Sequence, residues 1–194
     1  MAAFSDYLDL RTAVVEQVGA ADYVDVFPRH VQMAETEFSR RLRTQDQITE
    51  TPVTVAGGFV ALPDDFAEVL SLTSTNGVEL VGMGLPAYKS LRNTEGFFAV
   101  SGGNIFALDG TYTLTYYAKI PTISGSTTAT NWLLEKHPEL YLYGVSQRVF
   151  ARMQNLEGVA AMRDMKNDEI MQISEQDFNE RHARSRVRVK GHTP

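Results

Sequence analysis

The sequence predicts an α+β protein: a helical bundle of about four helices, a small antiparallel β-domain inserted between its halves, and an extended C-terminal tail. Three observations carry this. Apolar residues recur at helical spacing towards both ends of the chain. Between them the pattern alternates and is broken by Gly57-Gly58, Asn76-Gly77, Gly102-Gly103 and Asp109-Gly110. The last fourteen residues, Arg181–Pro194, hold five Lys/Arg and no Asp or Glu in a chain of net charge −6.

The first helix is read in SDYLDLRTAVVEQVG, with Ser5 as cap, Leu8, Leu10, Val14, Val15 and Val18 as apolar face, and Gly19 as stop. A second runs from Asp22 to Arg43 on Tyr23, Val24, Phe27, Val31, Ala34, Phe38 and Leu42. Pro28 either kinks it or marks its true start. The cations of RRLR, Arg40–Arg43, suit a helix C-terminus. From Thr44 the alternation implies about six short antiparallel strands in a meander, with one or two helical turns in LPAYKSLRN. TISGSTTATN reads as a small-residue linker. Helical spacing then returns at Trp132, with Pro138 dividing a short lead-in helix from a longer one, and a last helix spans about Leu156 to His182. The expected domains are 1–45 with 126–182 for the bundle, 46–125 for the β insertion, and 183–194 for the tail.

Composition excludes several classes. The 194 residues contain no cysteine, which rules out disulfides and thiolate metal sites. MAAFSDYLDL lacks the basic start and apolar core of a signal peptide, and no apolar run approaches the ~20 residues that span a bilayer. The chain is therefore expected to be soluble, unexported and without a membrane partner. Its negative charge argues against general nucleic-acid binding, which needs a basic surface.

No catalytic or metal constellation emerges, and nothing asks for a cofactor. His30, His137, His182 and His192 lack ligand spacing, and Asp64-Asp65 reads as a turn after a strand rather than an acid–base pair. GGNIFALDG has no phosphate-loop ending. Tyr112, Tyr116 and Tyr117 read as cross-strand packing or, in a second reading, as a base-stacking platform that works with the basic tail in a nucleic-acid-binding module. Met153, Met162, Met165 and Met171 form a loose stripe suited to core or subunit contact.

Four blocks occur in order over residues 27–144: FPRHVQMAETEFSRRLRT, GGFVALPDDFAEVLSLT, LTYYAKIP and TNWLLEKHPELYLYG. They carry the phrases A-E-x-x-F-x-R-x-L-R, A-L-P-x-D-F, Y-Y-A-x-I-P and N-W-L-x-x-x-x-P-x-L-Y-L-Y-G. In this the chain resembles the head-to-tail adaptor proteins of tailed bacteriophages. The resemblance implies a structural virion protein at the head–tail junction, assembled in the host cytoplasm, and not an enzyme. It implies a ring of twelve copies under the portal protein that extends the DNA channel. The genome would pass without specific binding, and the ring would offer a platform to the tail tube or nozzle and to fibres. It also implies a C-terminal segment that docks on the portal. In an extended tail Arg184, Arg186 and Arg188 line one edge and Val187 and Val189 the other, with Lys190 following, a pattern suited to strand addition or to meeting carboxylates. Interface candidates are Trp132, Tyr141, Met153, Met162, Arg40 and Arg41. Glu37, Asp168 and Glu175 are expected to face the channel or solvent.

Overall fold

The computed structural model describes residues 4, 6–19, 24–91 and 95–183. The chain divides into two compact units, one from the two ends (residues 1–45 and 120–194) and one from residues 46–119.

In the terminal unit, α1 is Tyr7–Val18. Its start is fixed by the Asp6 carboxylate, which accepts the Leu8 and Asp9 amides at 2.9 and 3.1 Å. Ser5 lies outside the described residues. The amides of Tyr7 and Leu8 also donate to the carbonyls of Ala129 and Thr127, so the segment before Trp132 supplies acceptors that α1 lacks. The buried stripe is Tyr7, Leu10 and Val14, and Leu8 is exposed. A 3-10 turn, Val24–Val26, leads into α2, Phe27–Arg41. Pro28 lies in the first turn of α2, where a missing N–H costs nothing, so it starts the helix and does not kink it. After the β unit come α4 (Trp132–Lys136), α5 (Pro138–Arg152) and α6 (Leu156–Ala183). Here α3 is kept for the helix of the β unit, Leu85–Ser90. Asn131 caps α4, and Pro138 opens α5. Helix α5 is the centre of the unit and packs against α1, α2, α4 and α6.

Residues 120–125 pack with the helices, not with the strands. Ile120 and Ile123 are buried in the same cluster as Phe38, Leu134 and Tyr141. The segment read as a linker is therefore part of the bundle core. Its Ser and Thr content hid this, because within it the apolar burial rests on Ile123, with Ala129 packed beside the core, and on Ile120 just before it.

The β unit contains β1 (Ile48–Val55), β2 (Phe59–Ala61), β3 (Phe66–Ser74), β4 (Val81–Met83), β5 (Phe97–Ser101), β6 (Asn104–Phe106) and β7 (Gly110–Ala118). They form two sheets, ordered β1-β7-β3 and β2-β6-β5-β4, around one core that includes Val53, Leu72, Phe98, Ile105 and Leu114. This corrects the expected meander. The Gly57-Gly58 turn carries the chain from one sheet to the other, and the isolated bridges Ala56–Phe59 and Thr73–Glu79 lie outside the named strands. The last strand inserts between β1 and β3. The β4–β5 pair is parallel, with α3 in the connection. Turn chemistry is local and visible in a sequence; pairing of strands some sixty residues apart is set by core burial and is not.

Tight packing gives one sharp test. A Cβ on Gly144 of α5 would stand 2.5 Å from Phe38 Cζ of α2. Gly144→Ala should lower stability by about 1–3 kcal/mol, measured as a drop in urea midpoint with the denaturant slope unchanged. An unaltered midpoint would mean that the two helices do not approach this closely.

Candidate functional site

The described residues hold no cluster of His, Asp or Glu suited to a metal ion, and no helix is long and apolar enough to cross a membrane. Polar side chains gather instead at two places in the terminal unit.

The first is built on Glu35, which α2 presents towards the core. Glu35 Oε1 accepts the Ile123 amide at 2.8 Å and the Tyr141 hydroxyl at 3.2 Å. The Tyr141 hydroxyl in turn accepts from Asn131 Nδ2 at 2.8 Å, and the same amide group donates to the Pro121 carbonyl at 2.6 Å. Asn131 Oδ1 accepts the Leu134 amide at 2.9 Å and so caps α4. One turn along α2, Ser39 Oγ accepts the Ile120 amide at 3.0 Å. Burial pushes the Glu35 carboxyl above its usual range, and the bonds from Ile123, Thr122 and Tyr141 pull it partly back. Burial also drives the Tyr141 hydroxyl well above its ordinary value, helped by the charge of Glu35.

The second is built on Glu37, two residues on and therefore on another side of the helix. Its carboxylate meets Lys166 Nζ of α6 at 2.6 Å and Arg148 Nη2 of α5 at 2.7 Å. Lys166 is only 3% exposed and also donates to Gln147 Oε1 at 2.7 Å. Arg148 also reaches the Met33 and Gly144 carbonyls. Burial alone would raise the Glu37 carboxyl, but its bonds to Lys166 and Arg148 outweigh that and hold it below the usual range. Glu37 is thus held between cations, with its side chain still 28% exposed. It ties three helices together, because a partly buried carboxylate between two cations is worth more there than in water. Asp168 and Glu175 are exposed on α6, as expected.

The interface candidates separate. Arg40, Arg41 and Met153 are exposed, and Arg41 Nη1 bonds Asn167 Oδ1 at 2.8 Å. Trp132 is half-buried against the bundle core. Tyr141 and Met162 are buried, at 0% and 5% exposure, so both serve the interior of their own chain and present no surface. Their apolar bulk looked like interface anchoring, but helical phase turns them inward. Arg184, Arg186, Val187, Arg188, Val189 and Lys190 lie outside the described residues. The tyrosines of β7 offer no stacking platform, since Tyr112, Tyr116 and Tyr117 are all buried.

In the β unit the Asp64-Asp65 turn does structural work. Asp65 Oδ1 accepts the Tyr116 hydroxyl at 2.9 Å, the Phe66 ring stacks on Tyr116, and the tyrosine is pushed up to about 12, by burial first and then by Asp65. Nothing in the sequence marked His30. Its ring nitrogens are enclosed without a hydrogen-bond partner among the described residues, and burial, then the charges of Arg148, Arg152 and Arg29, push the imidazole below its ordinary value.

The two glutamates should respond to pH in opposite ways. Glu35 binds its proton more tightly folded than unfolded, so its contribution is full below the unfolded value and is lost as pH rises. Glu37 contributes above the unfolded value and loses that as pH falls. Glu35→Gln keeps the acceptor for Ile123 and removes the buried charge. It should leave the neutral-pH melting temperature unchanged or raised, with a gap that closes towards pH 4. Glu35→Ala orphans two buried donors and should cost about 2–4 kcal/mol. Glu37→Ala strands the Lys166 charge and should cost about 3–5 kcal/mol at pH 7, shrinking in acid. Thermal melts across pH check all three; a Glu37→Ala protein as stable as wild type would refute the three-helix tie.

The quoted sequence blocks are where these bonds lie. The A-E-x-x-F-S stretch, the A-x-I-P exit and the N-W-L…Y-L-Y-G helices meet at Glu35, and A-L-P-D-D-F meets Y-Y at Asp65. No curated protein matches the chain. The family model described as SU10 adaptor protein matches residues 5–190, through both units. The chain belongs to the SU10 adaptor protein family, a phage head–tail adaptor family, and is a structural component of a phage virion.

Proposed function

We propose that this adaptor assembles as a ring of twelve copies beneath the portal, extends the DNA channel, and presents a platform to the tail tube or nozzle and to fibres. The observation that carries this is the extent of the family match. It runs through residue 190 and so takes in most of the basic C-terminal run as well as both folded units. The segment 183–194 docks on the portal, its arginines meeting carboxylates and its valines filling apolar contacts. Twelve copies acting together offset the entropy lost when each segment is fixed. Genomic DNA passes without specific binding. Exposed Asp168 and Glu175 on α6 add no cation to hold phosphate.

The purified chain mixed with the portal of its own virus should give a complex whose mass corresponds to twelve copies per portal ring. Deleting residues 183–194 should abolish or strongly weaken it. Unchanged portal binding by the deleted chain would remove the tail from the mechanism. Absence of any portal complex, with salt-dependent DNA binding instead, would favour a nucleic-acid-binding module.

A further inference from the structure

The four-stranded sheet carries no charged residue in any strand: β2 reads FVA, β4 VGM, β5 FFAVS and β6 NIF. Register separates its two faces. Ile105 and Phe98 point into the core of the β unit, with Val60 and Val100 packed beside them. The opposite face then holds Phe59, Phe106, Ala99 and Met83 in one cross-strand row, with Phe97 and Val81 on one side of it and Ala61, Asn104 and Ser101 on the other. Ala99 in the middle is fully buried, and α3 packs on β5. On the outer strands Phe59 and Val81 remain 52% and 58% exposed, and the Phe59 and Phe106 rings lie 6.3 Å apart. The solvated face of such a sheet is ordinarily polar.

Charge surrounds this face on one side. Glu79 precedes β4, Glu95 precedes β5 and Asp109 follows β6, and all three are exposed. The registers bring the start of β4, the start of β5 and the end of β6 to the same end of the sheet. The whole unit 46–119 holds eight Asp/Glu against three Lys/Arg. An acidic rim repels DNA, and it repels the same rim on a second copy; it attracts a cationic one.

We propose that the outward face of this sheet, bracketed by Phe59 and Val81 and rimmed by Glu79, Glu95 and Asp109, docks the next protein of the tail, through a surface apolar at its centre and basic along one edge. This rests on the ring reading above and names the surface of the platform. Aromatic and Met side chains fill the centre of such contacts, and rim charges set the rate and salt dependence of association.

The test uses the complete adaptor ring assembled on its portal and the purified tail protein that joins it. Phe59→Lys with Val81→Lys changes two exposed side chains. It should leave ring assembly intact and weaken tail joining by at least about tenfold. Glu79→Lys with Glu95→Lys should slow joining and flatten its salt dependence. Hydroxyl-radical footprinting of Met83 and Phe59 should show protection only when the tail protein is added. Protection on ring formation alone would mean that a second copy covers the face and would overturn the proposal. Tail joining unchanged in Phe59→Lys/Val81→Lys would overturn it as well. A wild-type chain that forms no ring on the portal would instead refute the underlying reading.

Discussion

The Glu35 carboxylate lies inside an apolar bundle, where a charge is costly unless it is bonded from several sides. Here it accepts from Ile123 and Tyr141, while Ser39 on the same helix accepts from Ile120. Both amides belong to a stretch without regular secondary structure that would otherwise carry unsatisfied donors into the core. The polar groups of α2 therefore let the chain leave the β unit directly into the bundle. Asn131 extends the same set by fixing Tyr141, the Pro121 carbonyl and the start of α4 together. A chain that departs at residue 46 and returns at 120 needs such a fastening, because the two helical halves are separate in sequence and neither buries enough surface alone.

Much of the fold was legible because its punctuation is local. Pro28, Pro138 and the paired glycines mark element ends by their own backbone chemistry, and the structure uses them at those ends. What failed was non-local. Nothing within β1 shows that its partner is β7, or that β4 and β5 run parallel. Glu37 looked like a solvated acid because Arg148 and Lys166 come from helices more than a hundred residues away. Tyr141 and Met162 looked like interface anchors until helical phase put them inside. The family blocks were recognisable for a physical reason. Their residues contact one another, so each constrains the rest.

The two units divide the labour. The terminal unit is cross-tied by charge and hydrogen bonds, through Glu35, through Glu37, and through Asp177, which accepts the Gln45 amide and pairs with Arg181 near the end of α6. Such ties fix the spacing of the helices within the unit. The β unit is held mainly by apolar burial between its two sheets, with polar clamps such as Asp65 on Tyr116 and Asp109 on the Gly58 amide. On the outer strands of its four-stranded sheet, Phe59 and Val81 remain exposed.

Native-state hydrogen exchange at the Ile120 and Ile123 amides tests the Glu35 fastening most directly. Neither amide lies in a helix or strand, so only the bonds to Ser39 and Glu35 can protect them. Exchange as slow as that of the α5 core, reached only by global unfolding, is the predicted result. Exchange at the rate of an open loop would contradict it, and would leave the joining of the two helical halves to apolar packing alone.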